Sequence, residues 1–119
     1  MHEFSIASAV VDTAVRHAAG RRVTVVSVRC GRLRQVVPAS LAFAFEVLAR
    51  DTLCDGAVLE QEIVPARLAC AACAREWEIE LPVFRCPTCG TAAVAVVAGE
   101  ELEVESIEVS QDEEARCIA

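Results

Sequence analysis

The chain is 119 residues long, 55% hydrophobic and 24% charged, with 18 acidic residues, 11 basic ones and a net charge of −7. That length and apolar content exclude a disordered chain and suit a single core, with one domain or one domain carrying a small insert. The acid is unevenly spread, with 5 acidic and 7 basic residues through Leu59 but 13 and 4 from Glu60 onward, so the second half repels phosphate backbones and no nucleic-acid partner is expected.

In chain order, Glu3 to Ala19 reads as an amphipathic helix whose apolar face carries Ile6, Val10, Ala14 and Ala18, with Gly20 placed to end it. Val23 to Arg29 is rich in β-branched residues and reads as a largely buried strand. A polar loop from Gly31 to Val37 leads to Pro38, which suits the first turn of a second helix with Leu41, Phe45 and Leu48 on its inner face. Ala57 to Val64 alternates like a strand and Pro65 ends it. From about Arg67 to Val97 the pattern changes: cysteines come in pairs, and Trp77 to Leu81 alternates as one strand of a small ribbon. A last strand is expected from Glu101 to Val109.

The predicted class is therefore α/β (α+β): a small sheet of about three strands with two helices, plus an inserted four-cysteine module. We expect residues 1–66 and 98–110 to form one domain, residues 67–97 to form the insert, and residues 111–119 to be a flexible tail. No apolar run approaches the ~20 residues a membrane helix needs, and Met1-His2-Glu3-Phe4 lacks the basic start of a signal peptide. A cytoplasmic protein with no membrane contact is expected. In that reducing compartment the seven cysteines point to metal binding or catalysis more than to disulfides.

Cys70 and Cys73 form one CxxC pair, Cys86 and Cys89 a second, twelve residues further on. A two-residue gap lets one tight turn aim two sulfurs at one ion, and two such turns complete a tetrahedral four-thiolate site. Zn(II) is the expected ion and its role structural, since four protein ligands leave no open coordination position. Two other readings stay open: a redox dithiol, and iron held as in rubredoxin, whose knuckle Cys86-Pro87-Thr88-Cys89-Gly90 looks like. Zinc binding contributes on the order of 10–16 kcal/mol in zinc-finger peptides, enough to carry a module with few apolar residues. Cys30, Cys54 and Cys117 share no ligand spacing and read as small hydrophobes or idle thiols.

The other candidate site is the start of the chain. The Met1 amine, the following backbone nitrogens and the His2 imidazole can wrap one cation in fused chelate rings, a nitrogen-rich planar set that suits Ni(II) or Cu(II) better than zinc. Glu3 could add an oxygen, or simply favour a helix N-terminus by its charge. His17, near the end of the first helix, reads as a dipole contact. Arg21, Arg22, Arg29, Arg32 and Arg34 read as a solvated face or as a docking surface for an acidic partner. No serine-histidine-acid set, phosphate loop or catalytic carboxylate pair emerges, so no enzyme is expected.

Met1-His2-Glu3-Phe4-Ser5, the segment from Pro38 to Glu46 and the late CxxC-x12-CxxC together resemble the HypA/HybF family of hydrogenase maturation factors over nearly the whole chain. The resemblance implies a nickel metallochaperone with a small α/β nickel-binding domain and a zinc-ribbon insert. It implies delivery of Ni(II) to the large subunit precursor of [NiFe] hydrogenases, alongside a GTP-hydrolysing maturation partner; the chain itself is expected to be a monomer or weak homodimer. Nickel then maps to His2, with Met1 and Glu3 as auxiliaries, and zinc to Cys70, Cys73, Cys86 and Cys89. Two features depart from some relatives: no histidine flanks either cysteine pair, and Val36 and Val37 stand where an acidic residue can precede the second helix. The competing reading is a zinc-ribbon module that binds protein or nucleic acid without a nickel role; an electron carrier is a third.

Overall fold

The computed structural model describes residues 2–111. Its elements are α1 (His2–His17), β1 (Val23–Gly31), a single 3-10 turn (Arg32–Arg34), α2 (Pro38–Ala49), β2 (Val58–Val64), β3 (Ala66–Cys70), β4 (Glu76–Ile79), β5 (Val94–Ala98) and β6 (Leu102–Val109). They build two three-stranded sheets, ordered β2-β1-β6 and β4-β3-β5. Two helices, a small sheet and a cysteine-bearing ribbon are thus the architecture, as the sequence leads one to expect. Apart from Gln111, the expected tail, Cys117 included, lies outside the described residues. The chain divides into two compact units: Met1–Val28 with Val36–Glu62 and Glu103–Ala119, and Arg29–Gln35 with Ile63–Leu102.

In the first unit α1 buries Ala7, Val10, Val11 and Ala14, and Ala18 follows just beyond its end. Ile6, expected on that face, is only half-buried. Four residues overshoot a full helical turn by about 40°, so a strict four-residue row drifts off the core and a mixture of three- and four-residue steps holds it. Leu41, Ala44, Phe45 and Ala49 are the buried residues of α2; Leu48 sits half-buried at the edge. The two helices pack together, with Phe4 and Phe43 meeting edge to face at 6.4 Å between ring centroids. Val26 and Val28 bring the inner face of β1 to this core, Val23 is buried at the strand's start, and Cys54 is fully buried as well.

The second unit centres on β3, which pairs antiparallel with β4 and β5. Ala66, Leu68 and Cys70 alternate inward along it. Neither β3 nor β5 was expected, and the ribbon strand expected over Trp77 to Leu81 instead runs Glu76–Ile79. Opposite Arg67 and Leu68, β5 carries one extra residue, Val97, a β-bulge. At the root of the unit the backbone runs too close for side chains. Leu33 N–H donates to the Gly99 carbonyl at 2.9 Å, and a Cβ on Gly31 would collide with that same carbonyl. Gly99 has φ +113° and a Cβ there would lie 2.6 Å from Ala66 Cα, so only glycine fits.

Candidate functional site

The four paired cysteines converge. Their sulfurs lie within 4.8 Å of one another, the one such cluster among the described residues. Cys70 Sγ is 3.6 Å from Cys89 Sγ, and Cys73 Sγ is 3.7 Å from Cys86 Sγ. A disulfide needs about 2.05 Å, so the thiols are not bonded to each other. A tetrahedral zinc with Zn–S bonds of about 2.3 Å sets its sulfurs about 3.8 Å apart. The observed spacing fits that ion.

Both knuckles are built alike. Ala72 and Cys73 N–H donate to Cys70 Sγ at 3.3 and 3.4 Å, and the Thr88 and Cys89 amides do the same for Cys86. Ala74 N–H closes the first turn on the Cys70 carbonyl, and Gly90 N–H closes the second on that of Cys86. The residue after each pair has a left-handed backbone, Ala74 at φ 61° and Gly90 at φ 73°. Cys70 and Cys86 are buried while Cys73 and Cys89 are exposed.

Those amides divide the protons. The Cys89 N–H, against the opposing effect of burial and with help from Thr88 N–H, pulls the Cys86 thiol down to about 6. The Cys73 N–H likewise lowers Cys70. For Cys73 the Arg75 N–H acts downward, but the Cys70 and Cys86 sulfurs outweigh it and push the thiol up to about 11. Cys89 is raised in the same way: the Thr91 N–H acts downward and the Cys70 sulfur prevails. Two sulfurs thus favour the thiolate and two keep protons that a divalent ion must displace.

At the start of the chain, His2 opens α1 with its side chain 53% exposed. The Met1 amine lies outside the described residues. Glu3 is placed differently from its neighbours: it is the one buried charged residue described, at 8% exposure. Its Oε2 accepts a hydrogen bond from Val37 N–H at 3.2 Å and lies 3.6 Å from His2 Nε2. Val37 is the N-cap of α2 and its own side chain makes no capping bond, so the carboxylate of one helix caps the other. The Val37 N–H, then the Glu3 N–H, hold this carboxyl below the usual range; burial opposes them and His2 assists. Sequence reasoning could anticipate neither this bond nor Val37's part in it, because the partners are 34 residues apart. A shallow cleft of about 350 Å³ lies alongside, lined by Glu3, Phe4, Ala39, Ser40 and Phe43.

The remaining candidates have partners or surroundings of their own. His17 Nδ1 lies 2.8 Å from the Thr13 carbonyl in the last turn of α1. Burial raises the Cys30 and Cys54 thiols, as suits small core hydrophobes. Arg22 donates to the Asp55 carbonyl and Arg34 to that of Glu100. No helix among the described residues is long and apolar enough to cross a membrane.

Residues 1–109 match a family model described as "Hydrogenase/urease nickel incorporation, metallochaperone, hypA". A curated protein from Geobacter metallireducens named "Hydrogenase maturation factor HypA" is 44% identical over 109 residues, covering 92% of this chain and 99% of its own length. Among solved structures, "Solution structure of HypA protein" aligns with TM-score 0.69 at 23% identity, over 94% of this chain and 98% of that one. The solution structure of the Ni metallochaperone HypA from Helicobacter pylori aligns with TM-score 0.64 at 22% identity, over 90% and 96%. At those identities the two structures establish a shared fold, while the sequence matches carry the lineage: the chain belongs to the HypA family of hydrogenase maturation metallochaperones.

Proposed function

We propose that this protein carries nickel in the cytoplasm and delivers it to the large subunit precursor of a [NiFe] hydrogenase, working with a GTP-hydrolysing maturation partner. The carrier site is the N-terminus. The Met1 amine, the adjoining backbone nitrogens and the His2 imidazole bind Ni(II), and Glu3 assists. Zinc sits among Cys70, Cys73, Cys86 and Cys89 and keeps the second unit folded. The protein hands over an ion and catalyses no reaction of its own.

The observation that carries this reading is the match of residues 1–109 to a nickel-incorporation family. Coordination chemistry supports the division of labour. A cage of four thiolates is coordinatively closed and does not release its ion readily. An exposed imidazole beside a terminal amine gives up metal on protonation, as a delivery site must. Hydrogenase is the preferred recipient because the curated relative is named for its maturation, although the family description also covers urease.

The test uses the zinc-loaded chain with a native start, titrated with Ni(II). About one nickel should bind. His2→Ala, or a tag fused to the Met1 amine, should abolish that binding while zinc content and fold persist. Unchanged nickel affinity in both variants would refute the site and favour a zinc-ribbon binding module. Metal analysis of the purified protein distinguishes zinc from iron in the cage, since iron thiolates are coloured and zinc is not.

A further inference from the structure

The first sheet ends in an open strand. In the order β2-β1-β6, β6 has β1 on one side and no described strand on the other. Ser110 N–H donates to the Arg22 carbonyl at 2.8 Å, and the Glu108 carbonyl accepts from Thr24 Oγ1 at 3.2 Å. Both residues therefore turn their backbones toward β1. By the alternation of a strand, Ile107 and Val109 turn theirs outward, to the open side.

The side chains of β6 divide as sharply. Val104, Ile107 and Val109 are half-buried, whereas Glu103, Glu105, Ser106 and Glu108 are exposed. The three-residue step from Val104 to Ile107 marks a bulge at Glu105 and Ser106. Beside that bulge lies a cleft of about 280 Å³, walled on its other side by Thr13 and His17 of α1. It falls short of the roughly 300–1,000 Å³ of small-molecule pockets and suits one long side chain better.

We infer that β6 is a docking edge for an extended, basic segment of a partner protein, which adds as a fourth strand and places a lysine or arginine in the cleft against Glu105. The main chain of such a segment pairs with the outward N–H and C=O groups of Ile107 and Val109, and its alternate side chains supply specificity. β6 carries three acids and no base, which sets the sign of charge it accepts. Glu105, Ser106 and Thr13, which line the cleft, carry oxygen acceptors suited to an ammonium or guanidinium head.

An acidic row on its own would only guard the edge against unwanted pairing. The cleft goes further, because a guard needs no cavity. The same acids argue against a second copy as the occupant, since pairing β6 with β6 would set glutamates against glutamates. A phosphate backbone is refused on the same ground.

The probe is a capped eight-residue peptide alternating lysine and valine, added to the zinc-loaded, nickel-free chain. Binding is followed by NMR titration and by amide hydrogen exchange. Two control peptides accompany it: one with glutamate for lysine, and one N-methylated throughout, which keeps every charge and removes every main-chain donor. The lysine peptide should bind and slow exchange at Ile107 and Val109, and the glutamate peptide should not bind. N-methylation should weaken binding by about 10-fold or more, and so should Glu105→Lys, which sets like charges together. Equal binding by either control peptide, or by the Glu105→Lys chain, would overturn the docking edge. So would protection that falls on β2 instead of β6, or no binding of the lysine peptide at millimolar concentration. Protection of Ile107 and Val109 that rises with protein concentration alone would make a second copy the occupant and overturn it as well. Should Glu105→Lys not fold, Glu105→Gln decides: a loss of about 2–5-fold, the worth of an exposed ion pair, supports the cleft contact, and unchanged affinity removes it.

Discussion

One unit of this protein buries Val10, Val11, Val23, Val26, Val28, Leu41 and Phe45, with alanines filling the gaps between them. The other buries Cys30, Val64, Ala66 and Leu68, plus two of the four clustered cysteines, and leaves Leu81, Val83, Phe84, Val96 and Val97 exposed. Each fully buried large apolar side chain contributes about 1.5–3 kcal/mol, so the first set can hold helices and sheet together unaided and the second cannot. The contrast teaches that a chain can assign the two tasks of metal chemistry to different structural regimes. On the proposed reading, the nickel site lies in the unit where packing is sufficient, so it can sit on an exposed end and stay labile. Where packing is thin, the metal is a component of the fold, and its site must be closed.

Zinc removal should break this comparison most visibly if it is wrong. Stripping the ion with a chelator, or replacing Cys86 by Ser, should abolish amide-exchange protection through β3, β4 and β5 while α1 and α2 retain theirs. Loss of both units together would show that the first depends on the cage as well. Uptake of zinc at neutral pH should also release at least two protons, from Cys73 and Cys89, whose thiols are raised; a pH indicator in weak buffer reads this directly. A smaller, opposite perturbation is Leu41→Ala at a fully buried position. It should cost about 2–5 kcal/mol in denaturant unfolding of the helical unit, with zinc stoichiometry unchanged. The smallest effect sharpens the contrast inside the cage: Ala74→Gly should stabilise the zinc-bound protein by about 0.5–1 kcal/mol, by relieving a left-handed alanine where the second knuckle already has Gly90. A melt no higher than the parent's would show that the alanine is not strained there.

Much of this layout was legible from the sequence for identifiable reasons. Cysteine spacing encodes a local turn, so both knuckles and their convergence could be read directly. The helices announce themselves through apolar periodicity and through Pro38. The ribbon was harder. Ala66–Cys70 follows β2 with only Pro65 between them, and Val94–Ala98 is uniformly apolar, so neither shows the alternation that marks a half-buried strand. The burial of Glu3 and its bond to Val37 lay beyond such reasoning. Its sequence neighbours suggest a solvated first-turn acid, and only the folded arrangement of α1 and α2 gives it Val37 as a partner.

Gly99 comes so near Ala66 that the chain between them is almost a closed loop. Between these two residues the polypeptide makes a detour that returns almost to its own point of departure. A detour with coincident ends can lengthen, shorten or be exchanged without the flanking chain having to change its path. The toll gate is the glycine, where any side chain would bar the way back.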